Sequence, residues 1–317
     1  MPSKLPARCP IRGIGQNSRV NTKALFGAAV LIWGTTWFAI KFQLDAVEPE
    51  FGVALRFLLA ALLVLGWCAW RGLSLRLSAN AHGWLLLQGA CGFSIAYVLI
   101  YHAERFIVSG LVAVGYAAAP LTNMLLARLF FGTAMARRVA IGGMLGLAGI
   151  VLVFWPNVEP LLTGRVTEPT VLLGALFTIT AVVLSCLANM ITLRLQRAGV
   201  VGWPPIGLGM AYSAICSFGI ALLLGRPLTI FWSAPFAIAL VYLALVGSVL
   251  AFGAYFTLLA RIGAARASYI GVMTPLVALL VSTGFEHFEW QLLTFVGVGL
   301  AVAGNVLALR LPRSVRP

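Results

Sequence analysis

Few residues in this chain can do chemistry, and most of them interrupt long apolar runs. Arg56 sits five residues past Phe51 inside one such run. An arginine at the centre of a membrane helix costs ~2.5–3.5 kcal/mol on insertion scales, so something must offset it. In one reading it is a cation facing a cavity, binding the anionic group of a ligand or holding a gate. In the other it snorkels outward or pairs with Glu48 or Glu50. Glu104, in Tyr101-His102-Ala103-Glu104-Arg105, and Glu286, in Phe285-Glu286-His287, stand at the ends of apolar runs. A carboxylate beside a water-filled cavity can take up a proton and couple a process to a gradient. The plainer alternative is a pair of solvated loop acids, with Glu104 bonded to Arg105 at little gain.

Pro120 and Pro275 lie inside apolar runs, where each removes a helix hydrogen bond and frees a carbonyl one turn upstream. They mark either a binding site near the midplane or a packing kink. Trp33-Gly34-Thr35-Thr36-Trp37, followed by Lys41, is a small-polar notch between two large aromatics that suits a cavity wall. Tyr97, Tyr116, Asn123, Asn189, Tyr255 and Tyr269 place further polar groups within spans, facing protein or water. Gly142 and Gly146 form a GxxxG, which reads first as helix packing within the bundle and admits a homodimer as its other use.

Enzyme chemistry finds no footing. His82, His102 and His287 are far apart and make no HExxH zinc motif. Gly92-Phe93-Ser94 lacks the following glycine of a nucleophile turn, and Asp45 is the lone aspartate. The five cysteines form no CxxC, so no metal and no cofactor is expected. A phosphate loop of the GxxxxGK[ST] type is also missing, which disfavours ATP-driven work on this chain.

The elements that must position these residues are helices in lipid. The chain is 61% hydrophobic and only 9% charged, against about 25% charged in soluble domains. Apolar runs of roughly 18–25 residues recur, the length that crosses a ~30 Å hydrocarbon core, and none alternates as a barrel strand would. Ten spans are predicted: 24–44, 51–70, 82–102, 108–130, 138–155, 170–193, 203–224, 234–258, 265–284 and 291–309. The join between halves falls at 156–169, punctuated by Pro156, Asn157, Pro160, Gly164 and Pro169.

Alternating the loops between two sides sorts the charges. Seventeen of the 22 basic residues fall with the N-terminal arm, and all eight acids fall opposite, with Lys41, Arg105, Arg165 and Arg226. Lysine and arginine collect in cytoplasmic loops, so residues 1–23 and 310–317 are expected to be cytoplasmic tails. The net charge of +14 is thus a signature of orientation, not of nucleic-acid binding. Shifting the chain by 155 residues aligns Gly92 with Gly247, Pro120 with Pro275, Gly142 with Gly297 and Gly149 with Gly304. Each half, 24–155 and 170–309, holds an odd number of spans, so the two enter the membrane in opposite directions. The fold expected is an all-α integral membrane protein of two inverted five-helix repeats.

These features resemble the EamA-type branch of the drug/metabolite transporter superfamily. Ile32-Trp33-Gly34-Thr35-Thr36 with Lys41, Pro49 and Leu55-Arg56-Phe57 looks like the opening of that family's first repeat. Ser109-Gly110-Leu111 and Ala119-Pro120-Leu121 look like its fourth helix. Gly247 to Phe252 with Tyr255, Arg261-Ile262-Gly263, Pro275 to Ala278, Phe285-Glu286 and Trp290 look like its eighth and ninth. The resemblance implies an inner-membrane secondary carrier, often an exporter of amino acids, related metabolites or toxic compounds, working without ATP. Gly132-Thr133 stands where first repeats of the family often carry a glutamate. A membrane receptor or a lipid-moving protein is the alternative function. The expected pathway residues are Trp33, Lys41, Arg56, Tyr97, Glu104, Tyr116, Pro120, Asn123, Tyr255, Tyr269, Pro275 and Glu286, between which the two halves rock.

Overall fold

Helices begin where the sequence supplies capping chemistry. The Asn21 side chain accepts from the Lys23 amide at 3.0 Å, and the Ser78 and Ser233 hydroxyls do the same for Ala81 and Phe236. Pro49 and Pro204 occupy first turns, where the missing N–H is not needed. The computed structural model describes residues 21–132, 137–163, 170–255, 257–258, 261 and 270–309. Among these, the first repeat holds α1 (Thr22–Leu44), α2 (Pro49–Trp70), α3 (Ala79–Ala103), α4 (Ser109–Phe131) and α5 (Arg137–Leu162). The second holds α6 (Thr170–Arg197), α7 (Trp203–Leu223), α8 (Ala234–Tyr255), α9 (Ile270–Phe285) and α10 (Leu292–Leu309). Seven are long and apolar enough to cross a membrane. The other three carry shorter apolar stretches at Ile141–Pro156, Met273–Phe285 and Leu292–Gly304.

The largest departure from the expected spans is in α5, which runs on to Leu162 through Pro156 and Pro160. Those prolines lie in its last turns, where freed carbonyls meet the membrane boundary and water can satisfy them. Half of the expected join is therefore helix; 164–169 and both tails, apart from residues 21–23, lie outside the described residues. We call the side where α1 begins and α10 ends the terminal face, and the other the opposite face.

Local irregularities repeat with the same 155-residue shift. α3 opens into π-helical turns at Gly89–Ile95, and α8 does so at Tyr242–Leu250, which contains the shifted segment. Gly132 (φ 65°) and His287 (φ 55°), past the ends of α4 and α9, adopt the left-handed conformation at equivalent positions. The repeats interdigitate: α1 packs on α9 as α6 packs on α4, and α3 on α7 as α8 on α2. α5 packs on α10, a pairing that the exchange of repeats maps onto itself. A Cβ at Gly149 would overlap the Gly297 carbonyl, and a Cβ at Gly304 would overlap the Gly142 carbonyl. The second contact is the first with its two repeats exchanged, as in an isologous interface. Gly146 also meets Gly304, so the GxxxG is occupied inside the chain. Leucines at 129, 223 and 292 project outward, at least three-quarters exposed, on surface that lipid would cover.

Candidate functional site

Seven of the ten helices converge on a central cavity of about 210 Å³ open to the centre of a water molecule. α1 contributes Trp33, Thr36 and Trp37; α2 contributes Arg56; α3 adds Phe93 and Tyr97; α4 adds Tyr116, Pro120 and Asn123. From the second repeat come Ser185, Asn189 and Thr192 of α6, Phe252 and Tyr255 of α8, and Thr274 and Pro275 of α9. The lining runs from Ile40 and Ile100, toward the opposite face, to Thr192, near the terminal end of α6.

Arg56 is 1% exposed. Its Nε donates to Ser248 Oγ at 3.1 Å, and that hydroxyl donates onward to the Leu243 carbonyl at 2.9 Å. The five-residue reach of this second bond belongs to the π-helical stretch of α8, so the irregular turn positions the group that holds the arginine. Nearby, Gly247 gives the Thr36 methyl group the room a Cβ would take. The Arg56 guanidinium carbon stands 4.8 Å from the Tyr97 ring centroid and 5.4 Å from that of Phe57. Its Nη1 is buried without a hydrogen-bond partner. Glu48 and Glu50 do not pair with it: Glu48 bonds Arg105 at 3.3 Å, and Glu50 bonds His102 at 2.8 Å and reaches Arg226 at 3.7 Å. Arg56 thus presents a desolvated cation with unused donor capacity at the cavity wall.

Aromatic rings form much of the remaining wall. Trp33 meets Phe252 and Tyr255 at 5.3 and 5.4 Å between centroids, and Trp37 meets Tyr116 at 5.2 Å. Trp33 Nε1 donates to the Gly247 carbonyl at 3.3 Å, which ties α1 to the irregular turn of α8. Tyr116 and Ser185 hydroxyls lie 3.1 Å apart, and Asn189 Nδ2 donates to Asn123 Oδ1 at 3.2 Å. Pro275 leaves the Gly271 carbonyl without its usual helical donor, whereas before Pro120 the helix tightens into a 3-10 turn in which the Ala119 amide donates to the Tyr116 carbonyl; both prolines line the cavity. Trp33, Arg56, Tyr97, Tyr116, Pro120, Asn123, Tyr255 and Pro275 therefore meet in one place. Tyr269 lies outside the described residues.

Lys41, Glu104 and Glu286 do not line this cavity. They gather above it at the opposite face, in a clasp between α1, α3, α4 and α9. Lys41 Nζ lies 3.3 Å from Glu286 Oε1 and donates to the Glu104 carbonyl oxygen at 3.0 Å. The Ser109 and Ser282 hydroxyls each donate to Glu286 Oε2 at 2.5 Å, and the Ser109 amide donates to Oε1 at 3.3 Å. Ser282 Oγ accepts from the Gly110 amide at 2.9 Å, where Gly110 lets α4 close against α9. Burial by itself would raise the Glu286 carboxyl, but the hydrogen bonds from Ser109 and Ser282 and the Lys41 charge hold it below its ordinary value. Glu104 is the reverse case. It is 2% exposed and both its carboxyl oxygens lack a partner, since Arg105 turns to Glu48. Burial pushes its carboxyl well above the ordinary carboxylate range; Lys41 pulls it down, Glu286 pushes it up, and Arg56 pulls more weakly.

Sequence reasoning passed over Ser185 and Thr192 as wall residues, while the Trp33–Trp37 notch does line the cavity. The signal was present: Ser185, Asn189 and Thr192 recur at four and three residues down one face of an otherwise apolar helix.

A bundle of inverted helical repeats around a partly polar midplane cavity, with a closed clasp at one face, defines a polytopic membrane carrier. Residues 23–155 and 169–310 each match the EamA-like transporter family, and the chain belongs to it as a multi-pass membrane transporter. An uncharacterized inner membrane transporter of Escherichia coli K12, YedA, is 29% identical over 89% of this chain and 90% of its own. Protein PagO of Salmonella typhimurium is 24% identical over 94% and 97% of the two chains, and protein PecM of Dickeya dadantii 25% over 91% and 94%. A solved crystal structure superposes with a TM-score of 0.66 at 19% identity, covering 92% of this chain and 97% of the other.

Proposed function

We propose that this transporter is a secondary exporter of small metabolites bearing an anionic group, amino acids or related compounds, in the inner membrane. Both termini are cytoplasmic in this reading, on the strength of the charge sorting between loops. The two repeats rock about the central cavity, and the clasped opposite face faces outward, so cargo loads from the cytoplasm. The observation that carries the reading is Arg56: a buried cation without a carboxylate partner among the described residues, one guanidinium nitrogen free, at the wall of a cavity large enough for solute. A carboxylate entering there would supply the missing partner, and the surrounding aromatic rings suit an apolar or amphipathic remainder.

The test is comparative metabolite profiling of medium and cell contents from cells expressing the protein, its Arg56→Ala form, or nothing. A compound that accumulates outside only with the intact protein is the expected result. Depletion from the medium would make the carrier an importer, and full activity of Arg56→Ala would remove Arg56 from the pathway.

A further inference from the structure

Glu104 is the strongest unexplained group in the molecule outside the cavity. A carboxyl group 98% buried and with no hydrogen-bond donor on either oxygen is not a stable place for a negative charge. Lys41, the nearest cation, is already engaged by Glu286, and gives its hydrogen bond to the backbone oxygen of Glu104 instead of the carboxylate. The titratable and charged groups that face Glu104 are Lys41 from α1, Arg56 from α2, Tyr101 from α3 and Glu286 at the end of α9. The repeat-related positions carry no acid: the shift of 155 residues takes Lys41 to Gln196 and Glu286 to Phe131, whose ring instead meets the neighbouring Arg197 guanidinium at 4.3 Å. Closure of the opposite face is thus chemically unlike closure of the terminal face.

We propose that Glu104 is the proton-binding site of this carrier, occupied when the opposite face is clasped and emptied when that face opens to water. The step is a single protonation: a proton from solvent binds a Glu104 carboxylate oxygen, the neutral acid is buried as α1, α3 and α9 close, and opening returns it. Glu286 must stay ionised to hold Lys41, Ser109 and Ser282, so the clasp needs one carboxyl protonated and its neighbour charged. Closure then has a pH optimum. As pH rises, Glu104 loses its proton and the closed state weakens. As pH falls far enough to protonate Glu286, the ion pair is lost and the closed state weakens again. The inference deepens the transporter reading and rests on it for its role in coupling, but the site itself can be tested without knowing the cargo.

The experiment is hydrogen–deuterium exchange of the full-length protein in lipid nanodiscs, corrected for intrinsic rates, across pH 5 to 9. The segments read are 104–113 and 279–288, which contain the Ser109 and Gly110 amides of the clasp. For the unmodified protein, protection in both segments should peak between the limits and fall at least tenfold toward alkaline pH. Glu104→Gln should keep protection at the alkaline end. Glu104→Asp, which retains a titratable group, should restore the alkaline loss, and it guards against reading a misfolded Gln variant as a locked one. Alkaline loss that persists unchanged in Glu104→Gln, or protection that does not vary with pH, overturns the proposal. Flux measured in parallel separates the two readings: pH-independent export with an unresponsive clasp sinks the proton site alone. A responsive clasp with no export of any metabolite sinks the exporter and leaves the site.

Discussion

At the residue scale, Arg56 sets activity against stability. Its buried guanidinium has no carboxylate partner among the described residues, so replacing it with a similarly long apolar side chain should relieve a desolvation cost of about 1–4 kcal/mol. Arg56→Met is expected to melt several degrees higher than the unmodified protein in a thermal-shift assay, while export falls at least tenfold. Arg56→Lys should recover only part of the flux, because a point charge cannot reproduce the planar fork or the stacking on Tyr97. Arg56 was legible in the sequence because an intramembrane cation is expensive, and the rings around it because they interrupt apolar spans. The separation of Lys41, Glu104 and Glu286 from the cavity was not legible. Each lies at a span end, and which side of the helix it turns toward depends on packing between α1, α3 and α9, partners far apart in the chain. That same long-range packing decided that Glu104 faces inward and Arg105 outward.

At the element scale, the paired π-helical stretches and the α5–α10 crossing do most to position the site. Removing the hydroxyl of Ser248 leaves Arg56 Nε without its acceptor, so Ser248→Ala should weaken substrate affinity several-fold with little change in the maximal rate. At the crossing, Gly149 and Gly304 make equivalent backbone contacts. Gly149→Ala and Gly304→Ala should each destabilise the fold by about 1–3 kcal/mol and, unusually for positions so far apart in sequence, by nearly equal amounts. Denaturant-induced unfolding in mixed micelles would measure both; a large inequality would mean that the crossing is not isologous. Span positions were readable from apolar length, and the repeat from the glycines and prolines that survive the shift. The continuation of α5 through Pro156 and Pro160 was not readable, because proline is a reliable stop signal only where water or a cap cannot satisfy the freed carbonyls.

At the scale of the whole molecule, the repeats differ in how each would seal its own face. The clasp of Lys41 with Glu286 has Gln196 and Phe131 at the related positions, where among the described residues Arg197 stacks on Phe131 at 4.3 Å instead of pairing with an acid. Phe131→Glu should give Arg197 a carboxylate partner and shift the population toward the state closed at the terminal face. Thiol labelling of a cysteine placed at Thr192, in a background without the natural cysteines, should then slow at least threefold relative to Phe131→Gln in the same background. The α5–α10 pair supplies no side chain to the cavity and coincides with the axis that exchanges the repeats. A line about which two halves swap roles is the one part of a machine that need not travel. In the rocking motion proposed above these two helices serve as the fulcrum, and two spin labels at their opposite ends should report a single, narrow distance in every pH and ligand condition while labels across either gate report two.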